Sequence, residues 1–212
     1  MDVPTRRTTP APRRSGRLAR RLVQLYAGLV AYGLSAALMV RSELGVMPWD
    51  VLHQGLALHL GLDLGTVSIA AGALVLLAWI PLRERVGLGT ISNVLVIGST
   101  LDVALLLLPA HPNSAVRLGF AAAGIVLNGL ATAAYIGVDF GAGPRDGLMT
   151  GLARRTGRSL RAVRTCLEAA VVLAGWLLGG TLGLATIAYA LSIGPLTQAF
   201  LRPLRVPRPP AQ

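Results

Sequence analysis

Residues 21–108 recur, without a gap, as residues 117–204, with 32 identities in 88 aligned positions. Runs such as Gly55-Leu56-Ala57 with Gly151-Leu152-Ala153, and Gly87-Leu88 with Gly183-Leu184, exceed what a chain rich in Leu, Ala and Gly would match through composition. Duplication of one unit is the economical explanation. A fold built this way must set two similar halves against each other, and in a membrane chain the number of spans per unit decides how they face. The best-defined pair of copies is Gly45-Val46-Met47-Pro48-Trp49-Asp50 and Gly141-Ala142-Gly143-Pro144-Arg145-Asp146.

The chain reads as a membrane protein. Apolar residues make up 53% and charged residues 14%, and the mean hydropathy is +0.62. Six apolar stretches stand out, at residues 22–40, 66–82, 88–108, 116–138, 160–178 and 184–201. Each is roughly 17 to 23 residues, long enough at about 1.5 Å per residue to cross a hydrocarbon core of about 30 Å. Soluble core helices of that length would carry a charged face, whereas residues 70–82 carry no charge at all. The expected fold is all-α and polytopic: six transmembrane helices as two membrane repeats, residues 20–108 and 116–204.

Charge supplies an orientation. All 20 basic residues are Arg, against 9 acidic ones, for a net charge of +11. A cytoplasmic N-terminus puts 18 Arg inside and leaves only Arg41 and Arg117 outside, a strong positive-inside asymmetry. Six spans then return the C-terminus to the cytoplasm. The Arg residues border spans in short clusters with no aromatic platform between them, so no nucleic-acid partner is expected. Residues 1–19 and 205–212, rich in Arg and Pro, are expected to be disordered cytoplasmic tails. A cleaved signal peptide is disfavoured, because the first apolar run has an uncleavable counterpart at residues 118–136. The single Cys166 has no disulfide partner and reads as a small packing residue.

Each unit contains three full spans plus a short segment between the first two, Pro48–Leu60 in one copy and Pro144–Thr156 in the other. Three is odd, so the copies should enter the membrane from opposite sides as an inverted repeat. Each short segment opens with Pro and has Asp two residues later, which suits a helix N-terminus, and stops at Gly61 or Gly157. Two readings follow. In one, the helices are re-entrant, and Pro48, Trp49 and Asp50 meet Pro144, Arg145 and Asp146 near the midplane as an ion or substrate site. In the other, they are amphipathic interfacial helices whose Asp residues merely suit the dipole.

Polar groups inside the spans add candidates. Asp102 and its repeat mate Gln198 share one depth, and a carboxylate there costs about 2.5 to 3.5 kcal/mol on insertion scales. It is a candidate proton or cation site, or a group near a span end that reaches water or an Arg. Arg164 and Glu168, one helical turn apart, read as a structural ion pair. Asn93 and Asn128 read as hydrogen-bonding partners between helices. His53, His59 and His111 lack metal-ligand spacing, and a chain without Lys has no Walker-type loop. No catalytic residue, metal site or cofactor is expected, and no nucleophile with its base and orienter is recognisable.

The pattern Leu44-Gly45-x-x-Pro48-Trp49-Asp50-Val51-Leu52-His53-Gln54-Gly55-Leu56, then Gly65-Thr66-Val67-Ser68, Trp79-Ile80-Pro81-Leu82-Arg83 and Gly87-Leu88-Gly89-Thr90, resembles the YczE/YyaS/YitT group of bacterial integral membrane proteins. The second copy adds Gly141 to Met149 and Gly175-Trp176-Leu177-Leu178-Gly179-Gly180. The likeness covers about residues 20–204 and is nearest the YczE-like branch. It implies a multi-spanning protein of the bacterial cytoplasmic membrane and brings no substrate or catalytic residue with it.

Three classes of function remain. A transporter or channel for a small solute or ion, with its site between the repeats, is the first. A non-transporting membrane partner that supports assembly or maturation of another enzyme is the second. An intramembrane enzyme, the third, would need a defined polar cavity. Beyond the lipid bilayer, a second copy of the chain or another membrane protein stays open as a partner.

Overall fold

A computed structural model of the chain describes residues 14–110 and 113–206. The described residues form eight helices and no strand: α1 (Arg14–Ser42), α2 (Pro48–Leu60), α3 (Leu64–Leu82), α4 (Leu88–Leu107), α5 (Ser114–Ile136), α6 (Pro144–Thr156), α7 (Leu160–Leu177) and α8 (Leu184–Leu204). The expected N-terminal tail overlaps α1 from Arg14 onward, so residues 14–19 are helical. The rest of that tail, most of the C-terminal one and His111 lie outside the described residues.

Local chemistry sets the boundaries. Pro48 and Pro144 open α2 and α6, where a missing N–H is no loss. Gly61 and Gly157 close them with φ of 65° and 66°, the left-handed turn that favours glycine. Asn113 caps α5 by accepting from the Val116 N–H at 3.0 Å, and Ser159 caps α7 by accepting from the Ala162 N–H at 3.3 Å. At α4 and α8 the Thr90 and Thr186 hydroxyls accept from the N–H groups of Gly87 and Gly183, at 3.2 and 3.4 Å.

Five helices, α1, α3, α4, α5 and α8, are long and apolar enough to cross a membrane. The sixth expected span, α7, falls short. It has 18 residues, but Arg161, Arg164 and Glu168 fall in its first half. Leu106 is 85% and Leu184 81% exposed, and Leu74, Ile80 and Leu191 are exposed too, an outward apolar surface that water would penalise and lipid would not. Cys166, expected to pack inside, is exposed on α7.

Helices α1 and α5 pack along each other at the centre, with α4 against α1 and α8 against α5. The short helices cross over: α2 packs on α7, and α6 packs on α3. Contacts between the halves recur at the repeat offset of 96. The Ala185 N–H donates to the Leu44 carbonyl at 2.9 Å, and the Gly89 N–H to the Phe140 carbonyl at 2.9 Å. Gly45 and Gly141, with φ of 120° and 123°, pass so close to Thr186 and Thr90 that a Cβ would lie 2.6 and 2.7 Å from the respective hydroxyls. Gly28 lies against Ala131 and Tyr135, and Gly124 against Ser35 and Met39. One exchange of volume is visible: the Trp79 ring fills the space beside Gly147, while at the equivalent contact Gly175 lets the backbone of Val51 and Leu52 approach.

Candidate functional site

Both short helices begin inside the protein and end outside it. In α2, Pro48, Trp49, Asp50, Val51 and His53 are buried, whereas Leu58, His59 and Leu60 are exposed. In α6, Pro144, Gly147, Met149 and Gly151 are buried, whereas Arg154, Arg155 and Thr156 are exposed. The two N-termini therefore meet at one place, a cavity of about 290 Å³ lined by Pro48, Trp49, Pro144, Arg145 and Asp146.

Across this cavity the two copies of the motif touch. Asp50 Oδ1 lies 3.1 Å from His53 Nδ1 and 3.6 Å from an Arg145 guanidinium nitrogen. The Asp50 side chain is only 5% exposed, so its charge depends on these partners. The Arg145 guanidinium carbon also sits 5.1 Å from the centroid of the Trp49 ring, a cation–π arrangement. Trp49 and Arg145 occupy equivalent repeat positions, so this difference between the motifs places a cation on an aromatic face. Asp146 Oδ2 accepts from the Tyr135 hydroxyl at 3.0 Å. The Trp79 indole donates to the Pro144 carbonyl at 3.0 Å and fixes the start of α6.

The remaining walls come from the long helices. Tyr32, Tyr135 and Tyr189 line the cavity, with Asn93, Thr197 and Gln198. Tyr32 and Tyr135 meet edge to face with centroids 6.4 Å apart. Behind them the Tyr189 hydroxyl donates to Asn128 Oδ1 at 2.9 Å, and Asn128 Nδ2 donates to the Ser35 hydroxyl at 2.8 Å. Asn128 thus ties α5 to α8 and α1, the interhelical role expected of it. Two buried polar atoms of the lining residues, Trp49 Nε1 and Thr197 Oγ1, have no hydrogen-bond partner among the described residues.

Of the residues singled out from the sequence, the motif residues and Gln198 gather at or around this cavity, while Asp102 does not. Its carboxylate accepts from the N–H groups of Gly65 at 2.6 Å and Thr66 at 3.1 Å, so it caps α3 from α4. The α3 N-cap residue Asp63 makes no such bond with its own side chain, which leaves these first-turn donors to Asp102. Arg164 and Glu168 pair at 2.9 Å as their spacing requires, and both also line the cavity. His53 and the three tyrosines were not singled out. The chain has only four Tyr, and positions 93 and 189 carry a polar side chain in both copies, a signal of the same kind as 102 and 198. Among the described residues no three His, Cys, Asp or Glu side chains group closely enough to hold a metal ion.

Comparison with known proteins gives a consistent picture. Residues 19–202 match the family described as Family of unknown function (DUF6198). An uncharacterized protein of Haemophilus influenzae is 42% identical over 177 residues, 84% of this chain and 81% of the relative. The uncharacterized membrane protein YczE of Bacillus subtilis is 33% identical over 171 residues, 80% of each chain. The uncharacterized protein YyaS of Bacillus subtilis is 26% identical over 179 residues, 82% of this chain and 89% of the relative. No solved structure matches the chain. With residues 19–202 matched and five helices long and apolar enough to cross a membrane, the chain belongs to the DUF6198 family and is related to the YczE-like membrane proteins.

Proposed function

We propose that this protein binds a small solute or ion in the cavity between its two halves and carries it across the bacterial cytoplasmic membrane. In this reading α1, α3, α4, α5, α7 and α8 span the bilayer as two inverted repeats, α2 and α6 are re-entrant, and both termini are cytoplasmic. The crossover of the short helices and the recurrence of contacts at offset 96 support the inverted arrangement. Repeat mates at the two ends add to this: Arg117 bonds the Ser42 carbonyl at one end and Arg21 the Val138 carbonyl at the other. The orientation rests on the distribution of Arg along the sequence. The exposed face of α7 beyond its charged first half completes a sixth span.

The single observation that carries this reading is the meeting of Asp50 and Arg145, one from each copy, beside the cavity between the halves. Charges at such depth are expensive and are kept where they serve a pathway. Paired helix N-termini at the interface of repeats are also how transporters build midplane sites. Purified protein in proteoliposomes tests it against a panel of small charged and neutral solutes. At least one solute should exchange, and Asp50→Asn or Arg145→Ala should lower that flux at least ~10-fold, since each leaves a buried charge unpaired. Flux unchanged in both variants would contradict the site. No flux, together with a stable co-purifying membrane protein, would favour the partner reading instead.

A further inference from the structure

We propose that the solute is a small organic monocation, an amine or guanidinium, held by the Asp146 carboxylate against the tyrosines of the cavity. This rests on the binding site argued above and names its substrate class. The charges around the cavity do not balance. Arg145 is opposed by Asp50 at 3.6 Å, and Arg164 by Glu168 at 2.9 Å. Asp146 has a hydrogen bond from the Tyr135 hydroxyl but no ion pair among the described residues. With His53 uncharged, the carboxylates of Asp50, Asp146 and Glu168 outnumber the guanidinium groups of Arg145 and Arg164 by one, and a ligand of charge +1 offsets the difference.

The walls suit such a ligand. Tyr32, Tyr135 and Tyr189 line the cavity, and aromatic surroundings stabilise desolvated organic cations. Arg145 over the Trp49 ring already shows this chemistry within the cavity. A bare inorganic cation needs a close shell of oxygens, and a cavity of about 290 Å³ with aromatic walls does not provide one. An anion would find Arg145 already opposed by Asp50 and would add a second negative charge beside Asp146.

Three probes of one shape and different charge decide it: benzylamine, benzyl alcohol and benzoate, measured by calorimetry and thermal stability on the purified full chain. Benzylammonium should bind saturably and at least ~10-fold more tightly than the alcohol, and benzoate should not compete. Asp146→Asn should weaken benzylammonium ~10-fold or more, and Asp146→Glu, which keeps the charge, should restore most of it. If Asp146→Asn does not fold, the charge series on the wild-type protein and the glutamate variant still decides. Tightest binding of benzoate, lost in Arg145→Ala, would overturn the proposal. Equal binding of all three probes, or binding of none, would also overturn it. Benzylammonium that binds at Asp146 but does not cross proteoliposomes would contradict the transport reading alone.

Discussion

Helix α3 packs along α4 in the first half, whereas their counterparts α7 and α8 barely touch in the second. The contrast is sharpest at one equivalent residue. A Cβ on Gly98 would lie 2.5 Å from Ile69 Cγ1, while Gly194, its mate, has nothing within 4 Å of the same point. The cause is readable in the partner helices. Gly65 and Gly72 lie against α4, but their counterparts are Arg161 and Glu168, whose long charged side chains forbid close approach. Capping follows the same division. Asp102 of α4 caps α3 and so locks that seam, whereas Ser159 caps α7 locally and leaves Gln198 of α8 free to line the cavity. Duplicated helices have thus become one closely packed seam and one loosely packed one, and polar residues of the second, Arg164, Glu168 and Gln198, line the cavity.

Substitutions at the two glycines should break or sharpen this contrast most strongly. Gly98→Leu drives a side chain into Ile69 and the α3 backbone and should cost ~3 kcal/mol or more, enough to lower the yield of folded protein in detergent. Gly194→Leu should fall within ~0.5 kcal/mol of wild type. Equal losses in thermal stability would mean that both seams are closed. The next effect is smaller. Asp102→Ala removes charge-assisted bonds to the Gly65 and Thr66 N–H groups and should cost ~2 kcal/mol. Ser159→Ala, which loses only a local cap, should cost ~1 kcal/mol, and Gln198→Ala less still. An Asp102→Ala variant as stable as Gln198→Ala would remove the lock from the account.

Much of this architecture was legible in the sequence because its signals are local. Pro and Gly at fixed offsets placed α2 at Pro48–Leu60 and α6 at Pro144–Thr156, as observed. The repeat also marked two segments that the structure brings together, Pro48-Trp49-Asp50 and Pro144-Arg145-Asp146. Repeat equivalence misled at Asp102 and Gln198. They share a position, but residue 63 is an Asp that does not cap its own helix and residue 159 is a Ser that does, so the two mates acquired different work. Tyr32, Tyr135 and Tyr189 come from three separate helices, and no spacing along the chain announces their meeting. The sixth span is less legible for a simpler reason: three charges gather in the first half of α7 and interrupt its apolar run.

The most direct test of the central claim is cross-linking between the two motif copies in native membranes. With Cys166→Ser as background, Trp49→Cys and Arg145→Cys in one chain should be joined by a short bifunctional thiol reagent. The product should be a compact monomer of altered mobility, and an impermeant reagent added outside should label position 49 poorly. Free labelling of position 49 from outside, with no cross-link to position 145, would contradict a shared site between the halves.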